Sequence, residues 1–209
     1  MANKVIRKEK NTKEKIRAVA RAEFLKHGFK DVSLEKIVKD AGYTKGAFYG
    51  YYPDKASLFN DIVSEAGEGL VSEFITAQNR HMDLIPGGDA NKAVDMSREY
   101  LKYVIKYIYD HFDEFRLIIC KSEGTAYENY IDKLVELNVK ETLKFHRAMK
   151  RRGMTTGNVS SDLQRIITKA YFSAIFETVR ANMSRKKAMS YTGELASFFE
   201  GGWRAIMQY

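Results

Sequence analysis

Apolar residues along the chain recur at intervals of three and four, the period of helices that bury one face, rather than at the interval of two expected of strands. Only two prolines, Pro53 and Pro86, interrupt it. The first helix is predicted from a cap at Asn11 or Thr12 to a stop at Gly28, with Ile16, Ala20 and Phe24 on its buried face. A short second helix follows Ser33 and carries Leu34, Ile37, Val38 and Ala41. Ala41-Gly42-Tyr43 breaks it, and Thr44 caps a third helix running through Phe48 to about Tyr52. After Pro53-Asp54 a longer helix, with Leu58, Phe59, Ile62 and Val63 inward, runs from Lys55 to about residue 80. "IPGGDANK" is the next loop. Helices are then expected at about 89–110, 112–121, 127–151, 160–184 and 187–208, with "RRGMTTGNVS" as a turn and Ser161 and Gln164 as a capping box. The expected fold is all-α: an N-terminal three-helix helix-turn-helix domain over 1–54, joined by the long helix to a C-terminal helical domain over 55–209.

Within this pattern "AGYTKGAFYGYYPDK", residues 41–55, departs from what a helical hairpin needs. It holds three glycines, four tyrosines and two lysines in fifteen positions. Glycine inside a helix costs about 1 kcal/mol against alanine, and a plain hairpin gains nothing from Gly46 or Gly50. A helix that enters the major groove of DNA needs small or donor-bearing residues at its leading end, which Thr44, Lys45, Gly46 and Ala47 provide. Thr44 and the open N–H groups beside it suit a phosphate, and Gly46 lets the backbone approach. Phe48 points to the core. Tyr49 and Tyr51 point out, each with a ring for a sugar or thymine methyl and a hydroxyl for a phosphate, and Lys55 is placed to clamp the backbone beside them.

Charge sharpens this reading. The net charge is +8, and residues 1–55 hold 14 Lys and Arg against 7 Asp and Glu, whereas the remaining 154 residues are nearly balanced. A polyanion partner at the N-terminal end is implied, nucleic acid or anionic membrane. A membrane-surface helix would need bulky apolar residues opposite its lysines, but the apolar face of 12–28 is required by the three-helix core. No run of about 18 apolar residues spans a membrane, and "MANKVIRKEKNTKEK" lacks the apolar stretch of a signal peptide, so a cytoplasmic protein is expected. Cys120, the only cysteine, reads as a small buried hydrophobe.

The stretch "RAEFLKHGFKDVSLEKIVKDAGYTKGAFYGYYPDKASLF" resembles the DNA-binding domain of the TetR family of bacterial transcriptional regulators. Phe24, Gly28 and Ser33 stand where family members carry Phe, Gly and Ser or Thr. The signature Ala-Gly-x-Ser/Thr-Lys-Gly-x-aromatic-Tyr is present as Ala41, Gly42, Thr44, Lys45, Gly46, Phe48 and Tyr49, with Lys55 following. The likeness covers about residues 12–63. It implies double-stranded operator DNA as partner and a DNA-contact set of Ser33, Tyr43, Thr44, Lys45, Gly46, Ala47, Tyr49, Gly50, Tyr51 and Lys55. Many relatives have His at the place of Tyr51, Phe at that of Tyr52 and a larger residue at that of Gly50, so base preference does not carry over.

The resemblance further implies a repressor that a small-molecule effector releases, with 55–209 as a ligand-binding and homodimerising domain. The 160–184 helix has two apolar stripes, Leu163, Ile166, Ala170, Tyr171 and Ala174 on one, and Phe172, Phe176, Val179 and Met183 on the other. "ASFFEGGW" resembles the family's dimerising helix. The expected dimer surface is Leu163, Ile167, Tyr171, Leu195, Phe198, Phe199, Trp203 and Ile206. A small, largely apolar or aromatic ligand is expected among Tyr100, Tyr103, Tyr107, Phe115, Tyr127, Met149, Phe172 and Phe176, residues that otherwise form core. His27, His81, His111 and His146 fall at no metal-ligand spacing, and no P-loop, nucleophile elbow or Cys-His arrangement occurs, so neither enzyme activity nor a cofactor is expected. The rival reading is an all-α cytosolic ligand-binding protein or enzyme whose basic N-terminus touches membrane or nucleic acid non-specifically.

Overall fold

A computed structural model describes the backbone of residues 2–84, 90–151 and 159–207, and within these every side chain except those of 2–10, 78–84, 90–97, 145, 146, 148, 149, 204 and 207. The regular elements described are helices: α1 (Ala2–His27), α2 (Leu34–Ala41), α3 (Lys45–Tyr49), α4 (Lys55–Leu84), α5 (Ala90–Asp110), α6 (Phe112–Cys120), α7 (Tyr130–Arg151), α8 (Ser161–Arg180), α9 (Arg185–Ser190) and α10 (Thr192–Met207). By packing, the chain divides into one unit of residues 1–68 with 113–128 and a second of 69–112 with 129–209.

The core of the first unit follows the helical period read from the sequence. Ile16, Ala20 and Phe24 of α1, Ile37 and Ala41 of α2, Phe48 of α3 and Leu58 and Phe59 of α4 are fully buried. Phe24, Phe29 and Phe59 form a triangle with ring centroids 5.4–5.7 Å apart. Truncating such a ring to alanine costs about 3–5 kcal/mol. Gly28 takes φ +89° and stops α1, its N–H donating to the Phe24 carbonyl at 2.8 Å. The later stretch of this unit closes against the same turn: Phe29 N–H donates to the Lys121 carbonyl at 2.9 Å, Arg21 pairs with Glu114 at 2.8 Å, and Tyr127 Oη donates to Asn60 at 2.9 Å.

In the second unit α7 packs along α8, and α5 packs against α9 and α10. Phe172, Phe176 and Val179 of α8 are buried while Leu163 and Ile166 are exposed, so its two stripes do face different surroundings. Tyr109 Oη lies 3.1 Å from the Met183 carbonyl, and Arg185 pairs with Asp110 at 2.7 Å, tying α5 to the turn after α8. Gly69 of α4 admits Tyr107 of α5, whose hydroxyl would lie 2.1 Å from any Cβ placed there.

Several boundaries differ from the expected ones. α1 does not begin at Asn11 or Thr12 but continues back to Ala2, since neither glycine nor proline stops it. α8 ends at Arg180 because Asn182 adopts φ 48°, and Ser184 then caps a separate α9. What reads as one helix over 187–208 is broken at Tyr191. The cap of α8 is Ser160, which accepts from Leu163 N–H at 3.2 Å; Gln164 is buried and closes no capping box with Ser161. Cys120 ends α6 on the surface instead of in the core.

Candidate nucleic-acid interface

Two side-chain caps and one glycine build the turn between α2 and α3. Ser33 Oγ accepts from Lys36 N–H at 3.2 Å, and Thr44 Oγ1 accepts from Ala47 N–H at 3.2 Å. Such caps contribute about 1 kcal/mol each. Gly42 has φ +76°, and its N–H and that of Tyr43 donate to the Lys39 and Val38 carbonyls at 3.0 and 2.8 Å, closing α2. The turn therefore requires a glycine at this position.

α3 is anchored by one residue. Phe48 is fully buried, with its ring 5.5 Å from those of both Tyr49 and Tyr52. The helix then presents Lys45, Gly46, Tyr49 and Gly50 outward, with Tyr43, Ala47 and Tyr51 half-buried at its edges. Tyr49 is 56% exposed. A Cβ on Gly46 would come no nearer than 3.8 Å to another atom, and Gly50 has an ordinary helical φ of −69° with 3.4 Å of room. The fold thus needs neither of these glycines, and their bare backbone serves the outer surface.

The cations around this face hold different posts. Lys45 pairs with Glu35 in solvent, and the hydrogen bond and charge of Glu35 raise the pKa of its ammonium. Such a solvated pair is readily exchanged for a phosphate. Lys55 is half-buried: its Nζ donates to the Phe29 and Val32 carbonyls at 2.6 and 2.7 Å and lies 4.2 Å from the centre of the Phe29 ring. Burial lowers its pKa. Two of its three donors are thus spent on the loop between α1 and α2.

Two further features of this face carry no motif in the sequence. Lys15 of α1 lies over the Tyr43 ring at 5.7 Å, beside the turn at Gly42. Asp61 of α4 accepts from Tyr52 Oη at 2.8 Å and from Lys13 at 3.0 Å, with Arg17 at 3.6 Å, and so locks α1 and the end of α3 to α4. Burial opposes ionisation of Asp61, but the hydrogen bonds from Lys13 and Tyr52 and the nearby cations outweigh it and hold the carboxyl below its ordinary pKa.

In the second unit, Tyr100, Phe172 and Phe176 meet around a void of about 10 Å³ together with Leu70, Phe74 and Leu134. Tyr103 is 39% exposed, and Tyr107 packs on Gly69. Phe115 and Tyr127 belong to the core of the first unit, and Met149 lies outside the described side chains. Of the residues expected at a dimer surface, Leu163 and Phe198 are exposed, the latter by 73%. Ile167, Tyr171, Leu195, Phe199, Trp203 and Ile206 are half-buried, Tyr171 standing edge-on to Phe199 at 5.1 Å.

Among the described residues no group of three His, Cys, Asp or Glu side chains could hold a metal, and no helix is long and apolar enough to cross a membrane. A capped helix-turn-helix on a three-helix core, presenting a bare-backbone recognition helix beside lysines, defines a DNA-binding transcriptional regulator. Residues 16–62 match the family model described as bacterial regulatory proteins, tetR family. It is 23% identical over 192 residues to the probable acrEF/envCD operon repressor of Escherichia coli (strain K12), covering 88% of this chain and 83% of that protein. Over 71 residues, 33% of each chain, it is 38% identical to the HTH-type transcriptional regulator AcrR of Shigella flexneri. Its fold resembles that of NalD, the secondary repressor of the MexAB-OprM multidrug efflux pump in Pseudomonas aeruginosa, with a TM-score of 0.58 and 17% identity over 94% of this chain and 97% of that one.

Proposed function

We propose that the chain acts as a homodimeric repressor that holds an operator through α3 of each protomer and leaves it when a small molecule enters the second unit. The observation that carries the DNA role is the outer face of α3, where two glycines that the fold does not require flank an exposed tyrosine. Gly46, Ala47, Tyr49 and Gly50 face the base edges in this reading, and Ser33, Tyr43, Thr44, Lys45 and Tyr51 the phosphates. Lys55 braces the domain and offers its remaining donor to the backbone. Apart from Lys55, DNA contact is confined to residues 1–54, and effector binding and dimerisation to 55–209.

Support for the dimer comes from α8 and α10. Ile166 and Phe198 are 66% and 73% exposed beside the half-buried Tyr171 and Phe199, an apolar surface of the kind that self-association covers. One solved relative is named as a repressor of a multidrug efflux pump, so a transport operon is the first target to examine.

Selection of bound sequences from a random DNA pool with the full-length protein tests the reading. An inverted repeat is expected, with half-site centres separated by roughly one helical turn, 34–36 Å, or a multiple of it. Enrichment of a single unpaired half-site would contradict the dimer, and no enrichment at all would contradict sequence-specific regulation.

A further inference from the structure

The hydroxyl of Tyr100 is buried without a hydrogen-bond partner among the described residues, a state that buried polar groups rarely keep in native proteins. Tyr100 lines the void of about 10 Å³ in the second unit. The rest of its wall is aliphatic and aromatic, with Leu70 and Phe74 from α4, Leu134 from α7, and Phe172, Phe176 and a second phenol, Tyr171, from α8. Among the described residues, no side chain in the wall carries a charge.

The void has room for about one water, so a larger guest enters only by parting the rings around it. Those rings meet at ordinary aromatic contact distance, Phe74 standing 5.9 Å from Phe172 and 6.5 Å from Tyr100, centre to centre. An ionic guest would lose its hydration against a wall with no counter-charge. The nearby carboxylate, Glu73, is not part of that wall and takes a hydrogen bond from Tyr103. Burial raises the pKa of the Tyr100 phenol, which keeps it a neutral donor and acceptor at physiological pH.

We propose that this seam between α4, α5, α7 and α8 is the effector site, and that its ligand is an uncharged, predominantly aromatic molecule whose single polar group pairs with the Tyr100 hydroxyl. The inference rests on the effector-released repressor reading given above and adds the chemical class of the effector and the side chain that recognises it.

Four probes of one ring system separate the possibilities: 2-naphthol, naphthalene, 2-naphthoate and 2-naphthylmethylammonium, titrated calorimetrically into the full-length protein and its Tyr100→Phe variant. In the wild type 2-naphthol binds, and both ions bind at least roughly tenfold more weakly. Tyr100→Phe lowers the affinity for 2-naphthol roughly two- to tenfold, the range for one neutral hydrogen bond, and leaves naphthalene unchanged. Tighter binding of the cation than of 2-naphthol would overturn the neutral class in favour of a site governed by Glu73. Equal affinity of the two proteins for 2-naphthol would overturn the role of Tyr100, and no binding by any probe would overturn the site. Operator retardation of the ligand-free protein keeps the two readings apart: a protein that holds its operator but binds no probe refutes this proposal alone, and one that holds no operator refutes the regulator reading.

Discussion

At the scale of single residues, the two lysines of the family signature are chemically alike and structurally opposed. Lys45 stands in solvent with Glu35, whereas Lys55 is half-buried under two carbonyls of the α1–α2 loop. Lys45→Ala should leave the unfolding midpoint unchanged, weaken binding to all DNA sequences alike and flatten the salt dependence by about 1 in slope for each phosphate that is no longer neutralised. Lys55→Ala should lower stability by about 1–3 kcal/mol, because it strips partners from part-buried carbonyls. Urea titration and retardation at several salt concentrations check both; an unchanged midpoint for Lys55→Ala would contradict its bracing role. The start of α2 after Ser33, the break at Gly42 and the cap at Thr44 were legible in the sequence, since their chemistry is local. The post of Lys55 was not, because its acceptors are backbone atoms 26 and 23 residues away that no side-chain pattern encodes.

At the scale of elements, the apolar period located the helices but not all their ends. The two stripes of α8 were legible in part: Phe172 and Phe176 turn to the core and Leu163 and Ile166 to solvent, but Tyr171 lines the same void as Phe172, and Met183 lies beyond the end of the helix. The breaks at Asn182 and Tyr191 carry no proline or glycine, and they depend on tertiary ties such as that from Tyr109 to the Met183 carbonyl. The return of residues 113–128 to the first unit was likewise hidden, because it rests on Arg21, Asn60 and Lys121, which meet partners remote in sequence. The pocket residues suffered most: aromatics at helical spacing look alike in either unit, and Phe115 and Tyr127 belong to the first. For the dimer surface, Phe198 is a sharper probe than Phe199, which also packs on Tyr171 within one chain. Phe198→Glu should yield a folded monomer with operator affinity lowered at least roughly a hundredfold, because only a dimer engages both half-sites. Sedimentation of the variant as a dimer would remove this surface from the account.

At the scale of the whole molecule, the charge lies almost entirely at one end, with 14 basic against 7 acidic residues in 1–55 and near balance elsewhere. That asymmetry draws the chain to a polyanion, but it does not distinguish sequence-specific reading from general adhesion. If the outer face of α3 reads DNA, Gly46 is where this shows most directly, because function and folding should respond in opposite directions there. Gly46→Leu places a side chain where the nearest atom to its Cβ is 3.8 Å away, so folding stability should hold or rise by up to about 1 kcal/mol. The operator dissociation constant of that variant, measured beside its unfolding midpoint, should rise at least roughly tenfold as the leucine keeps the backbone from the groove. An operator affinity equal to wild type in a folded Gly46→Leu protein would contradict the account.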